Sequence, residues 1–275
     1  MDIAPTTPHS HIVLPHALWR GTVRLIRSAP ADAVTNMALD EAMLGEAAES
    51  GHTLVRLYEW ARPTVSFGRN QRCDGIYSQE RCDALAVPAV RRMTGGRALL
   101  HARELTYSVA APTSAAPSLR GGYEAINALL VAALRSLRVE VSVAVPVARA
   151  TSPGAAPCFE TPSAGELVVH GRKLVGSAQH RESDAFLQHG SILLDDDQGL
   201  LHELALVRLP MIPPPATLHG LDASLTADAV ARAIVEAIRG VTTGTIVETF
   251  DAALPAHRVA AAASRYADPR WTWRR

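Results

Sequence analysis

The chain reads as an α+β protein built on a mixed or antiparallel sheet with flanking helices. Two observations point there: period-two segments come in neighbouring pairs joined by glycine turns, and few helical segments lie between them to serve as crossovers. A doubly wound sheet would alternate strand and helix throughout. With 275 residues, 48% of them hydrophobic, the chain can bury a large core.

Residues 1–20 are aperiodic and rich in Pro, His and Thr. Residues 31–49 set Met37, Leu39, Met43 and Leu44 among alanines and carboxylates, with Gly51 as a stop, which predicts a helix. Residues 53–60 and 64–67, β-branched and aromatic and separated by Pro63, predict strands. Residues 85–92 end as a strand entering the Gly95–Gly96 turn, after which the chain doubles back. Strands follow at 98–101 and 104–110, the second with Leu105, Tyr107 and Val109 on one face and Thr106 and Ser108 on the other. Residues 123–137 repeat apolar side chains at three- and four-residue intervals, an amphipathic helix for the sheet. A strand is expected at 139–145, then a Pro/Ala/Ser-rich loop holding Cys158, a hairpin of 166–170 and 173–179 about Gly171, and a partner strand at 185–194. The Ala/Leu-rich remainder reads as helical, broken by Pro210, Pro213, Pro214 and Pro215. The expected organisation is an N-terminal extension (1–24), a catalytic domain (25–206) and a C-terminal helical part (207–275) packed on the same domain.

Composition excludes several function classes. Charges balance at 27 basic and 27 acidic residues, so no overall field favours nucleic acid or an anionic membrane. Cys73, Cys82 and Cys158 are odd in number, without Cys-x-x-Cys or zinc spacing, which fits a reducing compartment. No apolar run reaches about 18 residues and the N-terminus lacks a signal pattern, so a soluble cytoplasmic protein is expected. His9, His11 and His16 have no carboxylate or second cluster to complete a metal site. Gly165 to Lys173 is one residue too long for a P-loop, and Leu174 stands where Ser or Thr is required. Neither a metal nor a cofactor is expected.

The chemistry-bearing candidates are Cys158 and Lys173. A thiol among Pro157 and Pro162, in a stretch poor in large apolar residues, reads as exposed, and an ammonium brought near it from a strand favours the nucleophilic thiolate. Cys73 and Cys82 sit beside charged residues and receive no role. Arg91, Arg92, Thr94, Gly95, Gly96 and Arg97 form a turn that is either a hairpin device or a binding loop whose N–H groups and guanidinium forks hold a carboxylate, carbonyl or phosphate. His101, His180 and His189 lie near these motifs, His189 either facing a pocket or satisfying a strand.

Four blocks, taken in order, carry a resemblance: Arg91-Arg-Met-Thr-Gly-Gly-Arg-Ala-Leu-Leu-His101, Glu104-Leu-Thr-Tyr-Ser108, Gly171-Arg-Lys-Leu-Val-Gly-Ser-Ala-Gln179 and Leu187-Gln-His-Gly-Ser-Ile-Leu193. Over about residues 25–200 the chain resembles the biotin/lipoate A/B protein ligase family, with Asn36-Met-Ala-Leu-Asp-Glu-Ala42 similar to its first helix. The resemblance implies a catalytic domain related to class II synthetases with an apolar acyl tunnel. Within the family the chain looks most like the cysteine-type octanoyltransferases, matched at Cys158-Phe159-Glu160 and Gly171-Arg172-Lys173. This implies octanoyl transfer from octanoyl-acyl carrier protein to a lysine of a lipoyl-domain protein, such as glycine cleavage H protein or a 2-oxoacid dehydrogenase E2 subunit. Cys158 would carry the acyl thioester and Lys173 would lower its pKa. Acyl or substrate binding would fall to Arg92, Thr94, Gly95, Gly96, Arg97, His101, Gly176, Ser177, Ala178, His189 and Gly190. Arg97 stands where the ATP-using ligases have a third glycine, which favours the transferase. The tail 264–275 is also similar to that of octanoyltransferases. Two other activities stay open, an octanoyl or lipoyl amidotransferase between lipoyl domains and an ATP-dependent lipoate ligase, as does a non-catalytic acyl-binding module. An acidic partner surface is expected if Arg91, Arg92, Arg103 and Arg120 line the entrance.

Overall fold

The computed structural model describes residues 16–116, 118–144, 165–211 and 213–274. In chain order the elements are β1 (Val23–Arg27), α1 (Ala33–Ser50), β2 (Thr53–Tyr58), β3 (Thr64–Phe67), α2 (Gln79–Ala84), β4 (Ala89–Arg91), β5 (Leu99–His101), β6 (Glu104–Pro112), α3 (Leu119–Ser136), β7 (Ser142–Val143), β8 (Leu167–Val169), β9 (Arg172–Arg181), β10 (Ala185–Leu193), α4 (Leu200–Leu204), α5 (Ala227–Val241), β11 (Ile246–Thr249), α6 (Ala256–Ala267) and α7 (Pro269–Thr272). The large sheet runs β11-β1-β2-β6-β10-β9-β8-β7, parallel across its first three strands and antiparallel beyond them. A second sheet, β4-β3-β5, stands apart from it.

Local chemistry sets the boundaries of the long helices. The Asp32 side chain accepts from the Thr35 N–H at the start of α1, and Gly51 ends it in a left-handed conformation at φ 70°. Ser118 caps α3 and Thr226 caps α5 in the same way. Helices α3 and α5 cover one face of the large sheet, where Leu25, Val55, Leu57, Leu105, Tyr107, Val109, Phe186 and Ile192 join Ile126, Leu130, Leu134, Val230 and Ile234 in one core. Helix α1 covers part of the opposite face, packing Met43, Leu44 and Ala47 on Ile26, Leu54, Ala110 and Leu187. The expected alternation of β6 is therefore present, with Leu105, Tyr107 and Val109 all turned to α3.

Three expectations need correction. The strand expected at 139–145 is confined to Ser142–Val143 within the described residues, because Val139 and Val141 turn into the core under α3 and leave two residues to pair with β8. The chain after 207 is not purely helical: β11 adds a parallel edge strand to β1. The Gly95–Gly96 turn does not close a hairpin, because β4 and β5 pair with opposite sides of β3. No helix among the described residues is long and apolar enough to cross a membrane.

Candidate active site

Five buried polar positions of the large sheet share the α1-covered face. Arg56 on β2, Thr106 and Ser108 on β6, and His189 and Ser191 on β10 are all buried and have the same parity as the apolar Leu54, Ala110 and Leu187. The small sheet and the turn after β4 lie over them. Trp60 donates its indole N–H to Thr106 Oγ1 at 2.9 Å and stacks on His101 at 4.0 Å. His101 Nδ1 meets Glu104 Oε1 at 2.7 Å and its Nε2 meets Ser66 Oγ at 2.7 Å, while Ser191 donates to the same Glu104 oxygen at 2.7 Å. His101 is therefore 4% exposed and held on both ring nitrogens.

His189 ties the turn to α1. Its Nδ1 lies 3.0 Å from Asp40 Oδ2 and its Nε2 lies 2.7 Å from Thr94 Oγ1. Asp40 is fixed in turn by Arg56 Nη1 at 3.2 Å and by the Tyr58 hydroxyl at 2.9 Å, and Arg56 also donates to Asn36 Oδ1 at 2.8 Å and Ser28 Oγ at 2.7 Å. Burial pushes the Asp40 carboxyl up, but the His189 hydrogen bond and the Arg56 charge outweigh it and hold the group below its ordinary value. Asn36 and Asp40, four residues apart on α1, form a buried polar pair in line with an apolar stripe. That spacing was the available signal for Asp40, which reading by motif passed over.

The turn itself is a backbone-on-backbone contact. A Cβ at Gly68 would fall 2.0 Å from the Gly96 carbonyl, and Gly96 sits at φ 98°. Arg69 N–H donates to the Thr94 carbonyl at 2.7 Å. Arg92 Nη2 donates to the carbonyls of Gly95 and Arg97 at 3.1 and 2.7 Å, and Arg91 donates to Gly68, Gln71 and Thr272 carbonyls. The tail closes over this arrangement: Trp271 donates to the Arg91 carbonyl at 2.7 Å and Arg274 to the Arg69 carbonyl at 2.5 Å. Arg91 and Arg92 are thus buried braces of the turn, not an entrance, while Arg103 pairs with Asp195 and Asp197 and Arg120 with Glu124. Of the four arginines, Arg91 and Arg92 are therefore not available to an acidic partner surface, whereas Arg103 and Arg120 are exposed.

A bulge decides where Lys173 points. Between β8 and β9 the register steps from Leu167 opposite Val175 to Val168 opposite Lys173, leaving one extra residue, Leu174, in β9. Leu174 and Val175 both join the core under α3. Lys173 and Gly176, on either side of them, consequently share the opposite face with Ala178, which pairs with His189. Lys173 Nζ is 2.6 Å from Glu166 Oε1, and both residues are buried. Glu166 also marks where the chain re-enters the described residues: its carbonyl accepts from Ala144 N–H at 2.8 Å, and Gly165 N–H donates to the Ala144 carbonyl at 3.1 Å.

Not every predicted residue faces the same way. Ser177 turns to the α3 side, where its hydroxyl meets the Tyr107 hydroxyl at 2.7 Å, and burial pushes that phenol up to about 12. Gly190 lies opposite Ser177, where a Cβ would meet the Gly176 carbonyl at 2.6 Å and Tyr107 Cε1 at 2.8 Å. Cys73 and Cys82 are buried free thiols; burial pushes both up, Cys82 to about 11, so neither offers a thiolate near neutral pH. Cys158 lies outside the described residues. Among the described residues no group of three His, Cys, Asp or Glu side chains is placed to hold a metal ion.

The glycine turn, His101 and His189 gather on this face, and Lys173 lies on the same side of the sheet. The chain belongs to the lipoyl protein ligase A/B catalytic domain family, whose model matches residues 32–210, and it is an acyltransferase. It is 42% identical over 198 residues to octanoyltransferase LipM of Kyrpidia tusciae, covering 69% of this chain and 71% of the relative. It is also 42% identical over 181 residues to octanoyltransferase LipM of Carboxydothermus hydrogenoformans, covering 64% of this chain and 66% of that one. Among solved structures, the bi-partite lipoate protein ligase of Thermoplasma acidophilum superposes with a TM-score of 0.69 at 17% identity, over 92% of this chain and 96% of that one. The expected α+β ligase-like fold is therefore the observed one.

Proposed function

We propose that this chain transfers an octanoyl group from octanoyl-acyl carrier protein to a lysine of a lipoyl-domain protein, by way of a thioester on Cys158, in the cytoplasm. The 42% identity to the Kyrpidia tusciae octanoyltransferase carries this reading. The position of Lys173 supports it chemically. Glu166, whose carboxylate lies 2.6 Å from Lys173 Nζ, follows Gly165, and Gly165 is seven residues beyond Cys158. Seven residues reach about 25 Å at most, a length that permits contact between the thiol and the ammonium without requiring it.

In the first step the Cys158 thiolate attacks the carrier thioester carbonyl; the C–S bond to the carrier breaks, and the departing thiolate takes up a proton. In the second, the neutral acceptor amine attacks the Cys158 thioester, its nitrogen loses a proton, and the Cys158 thiolate leaves. Thioester exchange is nearly balanced, whereas the amide product is stable, so no nucleotide is needed to drive transfer. Lys173 favours the thiolate form of Cys158 at the start of the first step and the end of the second. Backbone N–H groups of the Gly95–Gly96 turn, or of Gly176 and Ser177, serve the tetrahedral oxyanion, worth about 3 kcal/mol per donor. Arg92, Thr94, Arg97, His101, Ala178 and His189 shape and brace the acyl-binding wall, while Gly190 lets β9 and Tyr107 pack close behind it.

The deciding experiment mixes the protein with octanoyl-carrier protein, octanoyl-lipoyl domain, or octanoate with ATP, and records intact mass. The reading requires a hydroxylamine-labile octanoyl adduct from the carrier donor, absent in Cys158→Ser. Acylation from the lipoyl-domain donor alone would make it an amidotransferase, and pyrophosphate release would make it a ligase.

A further inference from the structure

The line Asp40–His189–Thr94 crosses three separate parts of the chain, and each link is buried. Asp40 is 1% exposed, His189 6% and Thr94 0%. An ionised Asp40 can only accept, so His189 Nδ1 carries the proton in that bond. In the neutral ring Nε2 is then the acceptor, and the Thr94 hydroxyl donates to it. Asp40 is not an incidental neighbour, since Arg56 and Tyr58 hold its two oxygens in place from β2. Nor is Thr94 incidental: its carbonyl receives the Arg69 N–H, and the two residues after it make the glycine turn packed on Gly68.

From this geometry we infer that Asp40 acts as a positioning residue for the transfer reaction, fixing through His189 the conformation of the Thr94–Gly96 turn. It touches no reacting atom. The rigid side of the relay is α1 with β2; the side that must hold its shape while an acyl group becomes tetrahedral is the turn. A carboxylate, an imidazole and a hydroxyl in line set both the tautomer and the ring angle of the histidine, so the turn keeps one position instead of several. The inference rests on the proposed acyl transfer for its kinetic arm, but not for its spectroscopic one.

The test uses the full chain and the variants Asp40→Asn, His189→Gln and the double variant. The Asp40→Asn change keeps the side chain's size, and because Arg56 can only donate, the new amide oxygen stays on Arg56 and the amide N–H turns to His189, whose Nδ1 must then accept. Nitrogen-15 NMR of the wild type should report His189 protonated on Nδ1, with Asp40→Asn moving the proton to Nε2 or leaving a mixture. In transfer assays Asp40→Asn should lower kcat about tenfold to a hundredfold with KM for the acceptor within about twofold, as loss of one or two aligned hydrogen bonds predicts. The loss should vanish as an added effect in the His189→Gln background, because Asp40 acts only through that ring. An Nε2-protonated His189 in the wild type, or an Asp40→Asn effect that adds in full to that of His189→Gln, overturns the inference. If the wild type acylates no lipoyl domain from any donor, the transfer reading fails while the tautomer measurement still decides the relay.

Discussion

The two faces of the large sheet are built from the same strands and do opposite jobs. On the α3 side, β6 presents Leu105, Tyr107 and Val109 and β10 presents Phe186 and Ile192, packed on Ile126, Leu130 and Leu134. On the α1 side, the intervening positions are Thr106, Ser108, His189 and Ser191, facing Asp40, Glu104, His101 and Thr94. The α3 face is held chiefly by area removed from water, which is tolerant of detail, with one polar group of Tyr107, Ser177 and Gln188; the α1 face adds to its apolar packing a larger set of directed bonds between buried groups, which is not tolerant. A strand's two-residue period lets a single segment supply both.

The comparison breaks first at Arg56. Arg56→Met would leave Asp40 charged, buried and without its guanidinium, and an unfolding free energy lower by about 3–5 kcal/mol is expected in denaturant titration. A loss below about 1 kcal/mol would mean that the polar face does not depend on this pair. On the apolar face, Leu130→Ala should cost about 2–4 kcal/mol through its cavity, yet the folded fraction should turn over at the wild-type rate. A drop in kcat at full folding would blur the division between the faces. Gly190→Ala sits on the boundary, its new methyl pressed on the Gly176 carbonyl and Tyr107, and should cost about 1–3 kcal/mol together with activity, since Gly176 shares the face of Lys173.

A smaller effect concerns acid. Because the Asp40 carboxyl is held below its ordinary value of 3.8 when folded, the unfolded chain binds that proton more readily. Its contribution is full above about pH 4 and is lost as pH falls through the folded value, so Asp40→Asn should flatten the acid limb of stability against pH. An unchanged limb would show that Asp40 does not govern it. Smallest of all, Arg120→Ala on the exposed Arg120–Glu124 pair should leave Tm where it is.

Much of this was legible in the chain. The α1 stop at Gly51, the two-faced pattern of β6, the Gly171 hairpin and the partner strand after it follow from turn chemistry and period alone, because each depends on neighbours within a few residues. The short α2 and the strand β11 were missed, since a six-residue helix and a half-exposed edge strand carry little apolar period. Among candidate site residues, Lys173, His101, His189 and the glycine turn stood out as motifs, whereas Asp40, Arg56, Trp60 and Glu166 look like ordinary helix and strand residues until their partners are seen.

What the order of residues settled was local: which segments become strands, where they turn, and which side of each is apolar. Pairing across the chain settled the rest. Arg91 and Arg92, basic beside a glycine turn and so apparently ligand-facing, spend their donors on carbonyls from Ser66 to Thr272. The direction of Lys173 is the sharpest case, because strict alternation from Gly176 would send it under α3 with the core. One extra residue opposite Leu167 and Val168 reverses that parity, and a bulge exists only where two strands of unequal count are hydrogen-bonded together.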